Sequence, residues 1–122
     1  MTHKILIADD EPNILISLEY LMKREGYHVL LARDGGEALN LITRERPDLV
    51  LLDVMMPGKS GFEVCQEVRA DETLSGIKIV LLTAKGQDAD FQRGRQVGAD
   101  VYVTKPFDPD ELVRLAEKVL GV

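Results

Sequence analysis

An uninterrupted apolar run in the middle of the chain, residues 49–52, most restricts what this sequence can fold into. It reads Leu-Val-Leu-Leu, shows no alternation of apolar and polar residues, and ends at Asp53. Such a run is typical of a strand buried on both faces, as in the centre of a parallel sheet covered by helices. The turn signal Pro57-Gly58 follows closely. Asp53 is therefore predicted to lie where a central strand ends, at the edge where open α/β sheets bind ligands.

Strand-like and helix-like segments alternate along the 122 residues. Strands are predicted at residues 4–8, 28–32, 49–53, 77–82 and 101–103. Helices are expected from Pro12 up to Gly26, from the cap Asp34 to Pro47, from the cap Ser60 to about Ala70, from about Asp88 to Val97, and from the cap Asp108 to Gly121. Alternation of this kind forces parallel strands joined by right-handed crossovers, with helices on both faces. The chain is thus predicted to be one doubly wound α/β domain, residues 1–122, with five strands and five helices.

The composition argues against several classes of function. The net charge is −6 and no basic stripe is interleaved with aromatic residues, so direct binding of nucleic acid is not expected. No apolar run approaches the ~20 residues of a membrane-spanning helix and no signal peptide is visible, which predicts a cytoplasmic protein. The single cysteine, Cys65, lies at helical spacing between Phe62 and Val68, and we expect a core thiol rather than a nucleophile.

Four of the five predicted strands end in residues suited to chemistry. Asp9 and Asp10 follow the first strand, and Asp53 ends the third. Thr83 and Lys105 follow the fourth strand and the fifth. Each residue alone has an ordinary explanation, such as capping a helix or facing solvent. Because a parallel sheet brings all these ends to one edge, their coincidence favours a functional site there.

Three carboxylates at one place repel one another unless cations neutralise them. A divalent cation and Lys105 balance the formal charges, with −3 from the aspartates, +2 from the metal and +1 from the lysine. Mg²⁺ is the expected cation, because it takes only one or two carboxylates, keeps several waters and bridges phosphate oxygens. No Gly-rich phosphate loop follows the first strand, so nucleotide binding has no support. What remains is Asp53 as a nucleophile that forms an aspartyl phosphate, with the Thr83 hydroxyl recruited to the new oxygens.

Four motifs spread over the chain give it a specific family resemblance. They are Ile7-Ala8-Asp9-Asp10-Glu11, Leu51-Leu52-Asp53-Val54-Met55-Met56-Pro57-Gly58, Leu82-Thr83-Ala84 and Val103-Thr104-Lys105-Pro106-Phe107. Over its whole length the chain resembles the receiver domain of response regulators in two-component signalling. The resemblance implies a flavodoxin-like sheet with the strand order 2-1-3-4-5. It also implies a phosphorylation-controlled switch rather than an enzyme.

The resemblance further implies how such a switch would work. Asp53 would be the phosphoacceptor, receiving its phosphoryl group from a histidine kinase or a phosphotransfer protein with the help of Mg²⁺. Lys105 would be the partner of the phosphoryl group, and the Lys105-Pro106 peptide would be cis. Thr83 would be the switch hydroxyl, and Tyr102 matches the aromatic that turns inward when the threonine moves. The alternative for Tyr102 is a half-buried tyrosine on an edge strand without a switching role. The face of the fourth helix, fifth strand and fifth helix would then change and meet a target.

The magnesium ligands implied by the resemblance are Asp9, Asp10, Asp53 and the backbone carbonyl of Met55. One alternative is a Mg²⁺-dependent phosphatase with an aspartyl-phosphate intermediate, but such enzymes often have a second carboxylate two residues after the nucleophile, where this chain has Met55. Another is a degenerate receiver that only binds partners, against which the intact set of candidate residues argues. Lys59-Ser60 departs from the Met-Asp or similar pair common before the glycine of the third helix.

Overall fold

The computed structural model of the chain describes residues 2–84, 92 and 96–122. Its strands are β1 (Lys4–Ala8), β2 (His28–Ala32), β3 (Leu49–Asp53), β4 (Lys78–Ala84) and β5 (Val101–Lys105). Its α-helices are α1 (Pro12–Arg24), α2 (Gly35–Glu45), α3 (Gly61–Ala70) and the C-terminal helix (Pro109–Leu120), and a 3₁₀ helix that was not predicted spans Glu72–Leu74. The described residues thus include four of the five predicted α-helices. The remaining one, predicted at about residues 88–97, lies mostly outside the described residues.

The five strands form one parallel sheet in the order β2-β1-β3-β4-β5, so the predicted fold class and strand order are confirmed. β3 lies at the centre, and all five of its residues are buried, as the apolar run predicts. Its neighbours are β1, with Ala8 opposite Leu52, and β4, with Leu82 opposite Asp53. Because every strand runs in the same direction, the carboxyl ends of β1, β3, β4 and β5 meet at one edge.

Helices on both faces of the sheet enclose two apolar layers. One layer joins the sheet to α2 and α3, and the other joins it to α1 and the C-terminal helix. Neighbouring residues of β3 alternate between them, with Leu51 in the second layer and Leu52 in the first. Cys65 is fully buried in the first layer, which confirms a core thiol. Burial also raises the pKa of this thiol to about 11. Among the described residues, no helix combines the length and the apolar character needed to cross a membrane.

Helix starts follow the predicted cap residues. The Asp34 carboxylate accepts a hydrogen bond from the Glu37 amide at 2.8 Å, and the Ser60 hydroxyl accepts one from the Glu63 amide at 3.2 Å. These bonds satisfy amide donors that have no partner within the helix. The C-terminal helix begins in the same way at Asp108.

The ends of β4 and β5 differ from prediction. β4 begins one residue later and ends two residues later than expected, and β5 ends two residues later. Both strands end later because the pairing between them continues through Thr83 opposite Thr104 and Ala84 opposite Lys105. Thr83 and Lys105 are therefore strand residues and not loop residues, and the backbone pairing of the sheet determines their positions.

Candidate functional site

Two buried carboxylates lie side by side at the carboxyl edge of the sheet. Asp9 follows β1 directly and is fully buried, and Asp53, the last residue of β3, is only 4% exposed. Asp10 is exposed at the rim. One carboxylate oxygen of each of the three lies within 4.8 Å of the others. Within residues 2–84, 92 and 96–122, this is the one cluster of three or more potential metal-ligating side chains.

Lys105 reaches the acidic cluster from the end of β5. Its ammonium nitrogen lies 2.8 Å from Asp9 Oδ2 and 3.4 Å from Asp53 Oδ1. A third carboxylate oxygen, Glu11 Oε1, lies 3.5 Å away. The ammonium thus interacts with both buried carboxylates at the same time.

Burial and repulsion control the charge of Asp53. Removal of the carboxylate from water raises its pKa, the negative charge of Asp9 raises it further, and the result is a pKa of about 7. The Lys105 ammonium and the Met55 amide oppose this shift. Burial also disfavours the charged form of Lys105, but its hydrogen bond to Asp9 and the surrounding negative charges outweigh this effect and raise its pKa. The cluster therefore holds more negative charge than one lysine neutralises.

The residues present fit a magnesium ion. The three side chains offer hard oxygen ligands, the kind that Mg²⁺ prefers, and the exposed Asp10 leaves the cluster open to water. Bound Mg²⁺ would also remove the repulsion that raises the pKa of Asp53. Met55, in the loop after β3, donates its amide to Asp53 Oδ1 at 3.4 Å. The Met55 carbonyl as a further ligand stays a prediction.

The predicted switch residues lie on the two strands beyond β3. Thr83 is 2% exposed. Next to it, the Val54 amide donates a hydrogen bond to the carbonyl of Leu82 at 2.9 Å, which joins the end of β3 to β4. Tyr102 is half-buried, lies opposite Leu81 and packs against the layer that includes α2 and α3. The peptide bond between Lys105 and Pro106 is cis. The switching roles of Thr83 and Tyr102 stay predictions.

Two residues near the site were not predicted to belong to it. Glu11 is not among the predicted site residues, although it directly follows the acidic pair and its carboxylate lies beside Lys105. Gly61 allows the start of α3 to lie against β3, because a Cβ atom there would overlap the carbonyl oxygen of Asp53. The sequence shows Gly61 only as a glycine in the first turn of a helix, and nothing in that pattern indicates the close approach.

Lys59 and Ser60 have structural explanations. Ser60 caps α3, and the Lys59 ammonium lies 2.6 Å from Glu67 Oε2 on the same helix. Both partners of this ion pair are more than 40% exposed, so it adds little stability. The departure from the family's usual pair therefore leaves the start of α3 intact.

Comparison with known proteins identifies the family. The model of the response regulator receiver domain matches residues 5–117, so the chain belongs to this family. A CheY-like receiver domain protein of Methanospirillum hungatei matches at a TM-score of 0.93 and 30% identity, over 99% of this chain and 95% of that chain. The chemotaxis response regulator CheY4 of Vibrio cholerae matches at 0.91 and 33%, over 98% of this chain and 99% of that chain.

A third similar structure contains a metal. It is the receiver domain of a sensor histidine kinase from Pseudomonas aeruginosa, with a magnesium ion coordinated in its active site cleft. It matches at a TM-score of 0.90 and 31% identity over the whole of both chains. The protein is thus a CheY-like receiver domain of two-component signalling, with an acidic cluster at the carboxyl edge of its sheet.

Proposed function

We propose that Asp53 accepts a phosphoryl group from a phosphohistidine on a histidine kinase or phosphotransfer protein. The observation that supports this most directly is the placement of the Asp53 carboxylate. It is buried at the end of the central strand, 3.4 Å from the Lys105 ammonium and within the cluster formed with Asp9 and Asp10. A carboxylate held rigidly beside positive charge and metal ligands is suited to nucleophilic attack on phosphorus.

In the proposed reaction an oxygen of Asp53 attacks the phosphorus of the donor. A phosphorus–oxygen bond forms, the phosphorus–nitrogen bond to the donor imidazole breaks, and its electron pair returns to the ring. Lys105 would stabilise the negative charge of the phosphoryl group, because its ammonium can donate to the transferred phosphoryl oxygens while keeping its bond to Asp9. Mg²⁺, held by Asp9, Asp10, Asp53 and the Met55 carbonyl, would supply positive charge that favours transfer. The domain has no separate substrate and acts as a signalling module.

The proposed function is tested by exposing the protein to acetyl phosphate with Mg²⁺. Intact-mass spectrometry is expected to show one phosphoryl adduct, which peptide mapping places on the segment containing Asp53. In a parallel reaction, small phosphomonoesters are expected to be left unhydrolysed. Continuing release of phosphate from them would instead establish the phosphatase alternative, and an adduct on another segment would contradict the role of Asp53.

We further propose that the phosphoryl group changes the surface that includes β5 and the C-terminal helix. Thr83 lies on β4, the neighbour of β3, and is buried close to the end of the phosphoacceptor strand. A movement of its hydroxyl toward the phosphoryl oxygens would be transmitted to β5 through the pairing of Thr83 with Thr104, and to Tyr102 on the same strand. One new charge that biases two arrangements of these strands suffices for such coupling.

Thr83→Ala is expected to keep the phosphoryl adduct but lose most of the structural response, because the hydroxyl is gone while the site's charges stay. Hydrogen exchange of residues 101–120, with and without acetyl phosphate, measures that response. Thr83→Ser retains the hydroxyl and serves as the matched control, with a response close to that of the wild type. An equal response in the alanine variant, or a change of the same size in α1 and α2, would contradict this route.

A further inference from the structure

The loop between β3 and α3, residues 54–60, lies directly against the N-terminus of α2. The amide of Gly35, the first residue of α2, donates a hydrogen bond to the Pro57 carbonyl at 3.3 Å. Gly35 is buried, and a Cβ atom built on it would overlap the backbone carbonyl and the Cβ of Lys59. The helix and the loop can therefore be this close only because residue 35 has no side chain.

Backbone hydrogen bonds and the packing of one side chain also hold the same loop. The Val54 amide donates to the carbonyl of Leu82, and the Gly61 amide donates to the carbonyl of Val54, each at 2.9 Å. Met56 is 9% exposed and packs in the layer beneath α2 and α3. Met55 lies between these residues, and its side chain is 69% exposed instead of packing in this layer. The position of the Met55 backbone thus depends on the hydrogen bond from its amide to Asp53 Oδ1 and on how the neighbouring loop residues are held.

A helix N-terminus has amide donors without partners in the helix, which usually bind water or a capping side chain. In α2 the Asp34 carboxylate caps the Glu37 amide, and the Gly35 amide binds the loop. The first turn of α2 therefore supports the loop through a direct backbone contact. No residue of α2 belongs to the acidic cluster itself.

We propose that Gly35 is a positioning residue for the metal site: the contact of α2 with residues 57 and 59 holds the loop so that the Met55 carbonyl and the Asp53 carboxylate can bind the same Mg²⁺. This rests on the proposed function, since it takes the Met55 carbonyl as a ligand. A side chain at residue 35 would push the loop away from α2. It would displace the Met55 backbone while leaving the three carboxylates in place at the ends of β1 and β3.

Gly35→Ala and Gly36→Ala form a matched pair for the test. Both place alanine in the first turn of α2, but a Cβ at residue 36 meets only the Asp34 carboxylate, at an ordinary contact distance of 3.4 Å. Mg²⁺ titrations followed by NMR amide shifts give the dissociation constant of each folded protein. Gly35→Ala is expected to bind Mg²⁺ about tenfold more weakly than the wild type, and Gly36→Ala equally well. The shifts that differ in Gly35→Ala are expected to lie in residues 54–60.

If Gly35 has a purely structural role, Gly35→Ala lowers stability toward urea and leaves the Mg²⁺ dissociation constant unchanged. That result would overturn the proposal.

If Gly35→Ala does not fold, the variants Asp34→Ala and Asp34→Ser test the proposal instead. Both remove the charge, but only alanine removes the cap that fixes the first turn of α2. Weaker Mg²⁺ binding in Asp34→Ala than in Asp34→Ser supports the proposal, and equal binding overturns it. A wild-type protein that neither binds Mg²⁺ nor forms the adduct would overturn the proposed function and this inference together, whereas normal behaviour of both wild type and Gly35→Ala would overturn the inference alone.

Discussion

Asp53→Asn is expected to abolish phosphorylation by acetyl phosphate and to leave the fold intact. Asparagine has nearly the same shape and can still accept the hydrogen bond that Met55 donates to Asp53 Oδ1. Its amide lacks the negative charge and the nucleophilic oxygen that attack phosphorus. Intact-mass spectrometry after incubation with acetyl phosphate and Mg²⁺ measures the loss. Asp34→Asn is the control, since it makes the same chemical change at a cap residue where asparagine serves equally well.

The same substitution is expected to stabilise the metal-free protein. The pKa of Asp53 is raised to about 7 in the folded state, above its value in an unfolded chain, so the wild type loses stability as the pH rises from about 4 to 7. The asparagine variant has no such loss. Its gain in the free energy of unfolding is therefore absent below about pH 4 and reaches on the order of 4 kcal/mol at pH 8.

Urea unfolding without divalent cations, at several pH values, measures this gain. Saturating Mg²⁺ is expected to shrink it, because the ion neutralises the Asp53 carboxylate of the wild type and binds the variant less tightly. A variant that is no more stable than the wild type at pH 8, or a gain that does not change with pH, would show that the buried carboxylate is not under electrostatic strain.

Removal of Mg²⁺ is expected to slow phosphorylation at least about 100-fold, which corresponds to ~3 kcal/mol in the barrier. Asp10→Ala is expected to have a similar effect at low Mg²⁺ concentration, because Asp10 is one of the three clustered carboxylates. Asp10 is exposed, so its removal takes nothing from the apolar layers. Rates of adduct formation over a range of Mg²⁺ concentrations, and with a chelator, provide the measurement.

Glu72→Ala is a suitable control for Asp10→Ala, because it also removes one exposed carboxylate but lies on the 3₁₀ helix, outside the cluster. It should phosphorylate at the wild-type rate at every Mg²⁺ concentration. Equal rates with Mg²⁺ and with the chelator would exclude a role for the metal. A loss in Asp10→Ala that excess Mg²⁺ does not restore would argue that Asp10 acts in some other way.

Most of the architecture could be predicted because it depends on local patterns. The apolar run of β3 indicates a strand buried on both faces, and the caps Asp34 and Ser60 mark the starts of two helices. Parallel strands bring their carboxyl ends to one edge, and for this reason the sequence predicts that Asp9 and Asp53 lie together. The strand order followed from the family resemblance, since periodicity alone does not determine it.

The features that could not be predicted depend on contacts between distant segments. Thr83 and Lys105 belong to strands because β4 and β5 pair beyond their apolar residues, and one strand's sequence does not contain that information. The Glu11 carboxylate contacts the site through Lys105, which lies 94 residues further along the chain. Gly35 and Gly61 differ from other glycines only in the backbone that lies against them, which is a property of the assembled fold.

The bond between Lys105 and Asp9 joins residues 96 positions apart and has a consequence for how the chain folds during synthesis. Once residue 53 has left the ribosome, β1 and β3 are both complete, but the ammonium that neutralises their carboxylates has not yet been made. Pairing the two strands at that stage would bring Asp9 and Asp53 together without Lys105, so that their repulsion favours the protonated form of Asp53. Pairing of β1 with β3 therefore gains the contribution of Lys105 to its stability only after β5 has emerged.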